Sequence, residues 1–202
     1  MNWLRLYLLP LIAIILLAGQ TVVYGSSHGM EGYSATGCTC HDDSAGIDSE
    51  VIIGGIPEIY QQGETYKLSI SLAGGIEASS QGHQGGFNLR SSIGTFSSID
   101  DLTRVTESGE ITHEHAGANY RSWVVEWTAP VSDEIANFTI AGNIVDGDHQ
   151  PSEGDDWAIN TYSSQPDELT IGDEIKQYTG LIVLLGLFGI PIYFMWKKSN
   201  GN

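Results

Sequence analysis

Cations are scarce in this chain: eight Lys and Arg among 202 residues, against 25 Asp and Glu, leave a formal charge of −17. So acidic a surface repels phosphodiester backbones, which excludes nucleic acid as a partner. The usual catalytic signatures are missing too. The sequence has no Gly-rich phosphate loop, nucleophile elbow, HExxH helix or dinucleotide fingerprint. Serines are numerous, yet none stands in a recognisable nucleophile setting with His and Asp, so no hydrolase is expected. The chain reads as an electron-transfer or binding protein rather than an enzyme. Cysteine occurs only twice, and no convincing amphipathic helix separates the apolar segments of the middle of the chain. What is present is glycine, at 25 copies, with many Ser and Thr, a composition of turns and strands. Five Trp, nine Tyr and 41% hydrophobic residues exclude disorder and suffice for one domain of ordinary size.

Both ends differ from the middle. Residues 1–25 carry one early cation, Arg5, an apolar stretch interrupted by Pro10, and a small-residue exit, the pattern of a secretory signal peptide. Residues 180–196 are almost wholly apolar, with aromatics at the two ends, Tyr178 just before and Tyr193 and Trp196 in the last turn, and Lys197 and Lys198 closing the run. Aromatic belts and a doubly basic stop predict a transmembrane helix, with residues 173–179 as a juxtamembrane linker and 197–202 as a cytoplasmic tail. The expectation is a single-pass protein of the cell membrane whose N-terminal domain lies outside. Between Glu31 and Glu174 stand all 25 carboxylates and only Lys67, Arg90, Arg104 and Arg121, a formal −21. Such a domain is either well solvated in saline surroundings or attractive to cations.

Residues 51–172 alternate short apolar stretches with turn residues, the pattern of an all-β two-sheet sandwich. Strands are predicted over 51–56, 66–72, 86–90, 94–97, 102–106, 122–128, 135–144, 157–162 and 168–171. Tyr66, Leu68, Ile70 and Leu72 share one face of their strand, Trp123, Val125 and Trp127 one face of another, and Phe138 and Ile140 one face of a third. These rings and branched chains are core candidates, since burying large aromatics is how a small sandwich stabilises itself. Asn137-Phe138-Thr139 is a glycosylation sequon, usable if Asn137 faces solvent.

The ordered series Gly85-Gly86-Phe87-Asn88-Leu89, Gly94-Thr95-Phe96, Thr112-His113, Trp123-Val124-Val125-Glu126-Trp127-Thr128-Ala129-Pro130 and Phe138-Thr139-Ile140-Ala141-Gly142-Asn143 resembles the Reeler-type domain and its prokaryotic relatives, the choice-of-anchor V surface proteins. The resemblance runs from about Gly37 to Ile171. It implies an immunoglobulin-like β-sandwich displayed outside the cell on a variable C-terminal anchor, and little about activity.

Residues 26–50 hold the most informative peptide, Gly37-Cys38-Thr39-Cys40-His41. Two thiols followed at once by an imidazole match the c-type haem attachment motif C-x-x-C-H with one spacer residue removed. The resemblance implies the full motif just before the first strand, which is where Cys38 to His41 stand. A second axial ligand would come from His113, in the Thr112-His113 step, ahead of His115, His28, Met30, His83 and His149. If residues 113–115 are extended, His113 and His115 present their imidazoles on one face. With Cys38, Cys40, His41 and His113 around a haem c, both axial positions are filled and one-electron transfer to a redox partner is the expected role. Other readings stand beside it. Copper or zinc could be held by the thiols with His41, His113 or His115. Cys38 and Cys40 could form a tight, reducible disulfide. Without any cofactor, the domain would be a binding or adhesion module for a glycan, cation or protein ligand. Five carboxylates between Asp146 and Asp156 give a further possible site for calcium, although the spacing is not that of an EF-hand loop and a solvated acidic turn is favoured.

Overall fold

A computed structural model describes residues 27–38, 45–77, 82–148 and 154–167. The expected signal peptide, membrane span and final strand, together with Cys40, His41 and His149, lie outside the described residues. Among the described residues no helix is long and apolar enough to cross a membrane.

The described chain is all-β. Its strands are β1 (Ser49–Gly54), β2 (Ile59–Tyr60), β3 (Thr65–Gly74), β4 (Gly85–Ser91), β5 (Thr95–Ser98), β6 (Thr103–Val105), β7 (Ile111–His113), β8 (Ser122–Thr128), β9 (Ala136–Ile144) and β10 (Asp156–Pro166), with one 3-10 turn at Gly117–Asn119. They form two sheets, a four-stranded one in the order β1-β3-β8-β5 and a six-stranded one in the order β2-β10-β9-β4-β7-β6. All pairings are antiparallel except β2 with β10.

Period-two patterning explains the packing. Leu68, Ile70 and Leu72 of β3, and Trp123, Val125 and Trp127 of β8, turn the apolar half of their strands inward. They meet Phe87 and Leu89 of β4, Ile111 of β7, and Phe138 and Ile140 of β9. Trp127 is fully buried, with Phe138 at 4.9 Å and Tyr60 at 5.7 Å, both edge-on. Its indole Nε1 donates to the Ile93 carbonyl at 3.1 Å, so the one polar atom of the ring is satisfied. The polar face of β9 carries Asn137, which is exposed, as its sequon requires.

β4 departs from this alternation, because Gly85 through Leu89 are all buried. The cause is the N-terminal strap, residues 27–38, which crosses the outer face of the six-stranded sheet. The Arg104 guanidinium beside β7 donates to the carbonyls of His28 and Gly29. Glu110 accepts from the Gly32 amide at 2.7 Å and from Asn88 Nδ2 at 2.9 Å, and Asn88 Oδ1 accepts from the Ser34 amide at 2.7 Å. The strap ends against β10. Gly37 has φ +84° and lies so close to the Trp157 ring that a Cβ would overlap it.

Candidate functional site

The strap brings the chemistry-bearing residues to one side of the six-stranded sheet, where they form two groups. His113 dominates the first. β7 pairs with β4 only through Asn88↔Thr112 and Leu89↔Ile111. Beyond that point the His113 imidazole takes over the backbone of Phe87: Nδ1 lies 3.1 Å from the Phe87 amide nitrogen and 3.3 Å from its carbonyl oxygen. The ring is 7% exposed and stands about 6.3 Å from both Phe87 and Trp123. Burial is the main cause that lowers its pKa from 6.5 to about 4, so the imidazole is neutral at physiological pH.

Neutrality and a tethered Nδ1 are what a metal-binding imidazole needs. The Phe87 amide donates to Nδ1, an arrangement that leaves the ring proton on Nε2; only in the other tautomer, with Nδ1 donating to the Phe87 carbonyl, does Nε2 present a lone pair. Among the described residues Nε2 has no hydrogen-bond partner. It faces Gly86, where a Cβ would lie 2.7 Å from Nε2 and closer still to Cε1. The imidazole itself occupies the space a side chain at 86 would take, so glycine there is what lets the ring lie against β4.

Gly86 begins a row across the sheet. It pairs with Asn143 of β9, which pairs with Trp157 of β10, and Trp157 carries Gly37 and the start of the cysteine peptide. With strands about 4.8 Å apart, Gly86 and Trp157 are separated by roughly 10 Å. Along this row Asn143 Oδ1 is buried without a partner among the described residues, and so is Ser34 Oγ on the strap. Cys38 is half-buried at the Trp157 end. The described residues thus place a buried, neutral imidazole, two orphaned oxygens and the first thiol in the layer between strap and sheet.

His115 belongs elsewhere. β7 stops at His113 and the chain turns, so the extended spacing that would align the two imidazoles is not realised; His113 is buried and His115 exposed. His115 instead joins His28 of the strap and His83 before β4. Its ring centre is 4.9 Å from each, and Ser27 Oγ lies 2.8 Å from its Nδ1. These three segments are remote in sequence, and nothing in their spacing announces the meeting. Arg121 and Asn143 were equally silent. The Arg121 guanidinium donates to the carbonyls of Gln84, Ile76 and Val145, tying three strand ends together.

The acidic loop is described at Asp146, Asp148, Asp155 and Asp156. Asp146 accepts from the Asp148 amide at 2.9 Å and Asp155 from the Asp146 amide, both within the loop, while Asp156 accepts from Ser49 Oγ of β1 at 2.6 Å. Among the described residues no three His, Cys, Asp or Glu already converge at metal-binding distance.

No protein-family model matches the chain, and no curated protein matches it. Among solved structures it is weakly similar to AvmM, which catalyses macrocyclization in alchivemycin A biosynthesis, at 10% identity over 74% of this chain and 98% of that one, with a TM-score of 0.38. It is similar at 13% identity to a conjugative transposon lipoprotein from Bacteroides eggerthii, over 58% and 98% of the two chains, with a TM-score of 0.33. A PapD-like domain of human CEP192 matches at 13% identity over 63% and 92%, with a TM-score of 0.29. Likeness at this level carries no inference about activity.

Proposed function

We propose that the chain is an exported, membrane-tethered β-sandwich of the immunoglobulin-like, Reeler type that displays a Cys/His centre for electron transfer. In this reading Cys38 and Cys40 hold a c-type haem, His41 ligates the iron from the attachment peptide, and His113 does so from the sandwich. The haem supplies a one-electron redox couple. The protein supplies the rest: Phe87 holds the His113 ring at Nδ1, Gly86 leaves room for that ring against β4, and the strap carries Cys38 to the Trp157 end of the same sheet. Export rests on residues 1–25 and tethering on residues 180–196, by their hydropathy and flanking charges.

The observation that carries the reading is the His113 imidazole, buried, neutral, held by Phe87 at Nδ1 and laid against Gly86. The full chain, produced in cells with haem-attachment machinery, is expected to gain the mass of one haem that survives denaturation and to show a low-spin spectrum. His113→Ala is expected to convert that spectrum to high-spin while the added mass remains. A colourless chain of unmodified mass overturns the proposal.

A further inference from the structure

We propose that Asn137 is a modification site carrying an N-linked oligosaccharide on the outer face of the six-stranded sheet, a proposal that rests on the export of the domain. Asn137-Phe138-Thr139 is the one Asn-x-Ser/Thr triplet in the 202 residues. Strand geometry decides which way it faces. Asn137 is exposed and Thr139 half-buried on the outer face of β9, while Phe138 between them points inward and is fully buried. A register shift of one residue would have buried the acceptor amide in the core.

The surroundings leave room for a bulky group. Although β9 is an inner strand, Asn137 stands in register with Ser163 of β10, and its carbonyl accepts from the amide of Ser92, just past β4. Thr139 is in register with Thr161 of β10 and Arg90 of β4. Ser92, Ser163, Thr161 and Arg90 are all exposed. The strap occupies another part of this face. It bonds to Asn88, in register with Ala141, four positions along β9, and the Gly86–Asn143 row is six positions along. At about 3.4 Å per residue, Asn137 lies roughly 14–20 Å from strap and His113 layer alike.

The amide is also chemically available. Its Nδ2 makes one long bond, to the Ile135 carbonyl at 3.4 Å. Glycosylation replaces one of the two hydrogens on Nδ2, and the other continues to donate. The donor class is a saccharide on a polyprenyl-phosphate carrier: the bond from Nδ2 to the anomeric carbon forms, the bond from that carbon to the phosphate oxygen breaks, the carrier leaves with the bonding pair, and the amide gives up a proton. The modified position has apolar surface to cover. Ile135 and Val131 in the connection from β8 to β9 are exposed, as is Ile59 of the edge strand β2, in register with Gln165 two residues beyond Ser163. A hydrophilic chain on Asn137 solvates this corner.

The test uses the full chain recovered from the cells that naturally make it. Trypsin releases Asn137 in the peptide 122–176, separate from the cysteines, so a haem does not confuse the reading. That peptide is expected to exceed its polypeptide mass by a series of sugar residues. Asn137→Gln and Thr139→Ala are expected to remove the increment, and Thr139→Ser to retain it. External protease added to intact cells separates the two ways of failing. An unmodified peptide from a chain that the protease digests overturns the glycan alone, and an unmodified peptide from a chain that the protease does not reach overturns export and the glycan with it. An increment that survives Asn137→Gln also overturns the site.

Discussion

Lowering the pH titrates the environment of His113 directly. Its folded pKa is about 4 against 6.5 when the ring is in water, chiefly because burial penalises the charged form. Above pH 6.5 the ring is neutral in both states and folding is indifferent to it. Below 6.5 the unfolded chain takes up a proton that the folded one refuses, so stability falls with pH until the folded ring also titrates near 4. The slope approaches 1.36 kcal/mol per pH unit, and the loss reaches about 2.5 kcal/mol by roughly pH 4.5. Other carboxylates and histidines also respond to acid, so the quantity to measure is a difference. Guanidinium unfolding of the haem-free, chelator-treated chain and of His113→Gln, near pH 7 and near pH 4.5, isolates it. The variant is expected to be less stable at neutral pH, because it loses the fitted ring, and the gap is expected to close by about 2 to 3 kcal/mol in acid. A gap that stays constant across this range, or a His113 resonance that titrates near 6.5, would refute the account of a desolvated imidazole.

Two further substitutions test the packing. Gly86→Ala puts a methyl group within 2.8 Å of Nδ1 and Nε2 of His113, so it is expected to cost about 1–3 kcal/mol in chemical denaturation and to displace the His113 resonances. Arg121→Lys keeps the charge but loses the planar fork that reaches Gln84, Ile76 and Val145, and a loss of about 2 kcal/mol in unfolding free energy is expected. An unchanged midpoint in either variant would show that the contact in question bears no load.

The parts of this fold legible in the sequence are the strands with one wet face. β3, β8 and β9 alternate because Lys67, Ser69, Val124, Asn137 and Thr139 lie away from the core while their neighbours enter it. β4 is anticipated at 86–90, but alternation does not report that the strap buries its outer face as well, and it cannot report β2, whose two residues are too few to show a period. β7 was visible only as the step Thr112-His113. Of the candidate site, His113 stood out by type and position, but its bonding to Phe87 depends on where the β4–β7 ladder stops. That end point is a tertiary outcome. The meeting of His28 with His115 is likewise a product of the strap's path, set by Asn88 of β4, Arg104 of β6 and Glu110 just before β7.

The strap also leaves a debt that bears on function. Covering the outer face of β4 and β9 removes Ser34 Oγ and Asn143 Oδ1 from water without giving them partners among the described residues. A buried polar atom left in that condition costs about 1–3 kcal/mol, and folded proteins tolerate few of them. A core device would have an easy remedy, since an apolar side chain at either position would remove the penalty. Both oxygens instead lie in the layer between strap and sheet, Asn143 in register with Gly86, where the His113 ring rests, and with Trp157, where the cysteine peptide begins. A third such oxygen, Ser164 Oγ, lies fully buried on the core side of β10, so two of the three orphaned oxygens among the described residues fall in this layer.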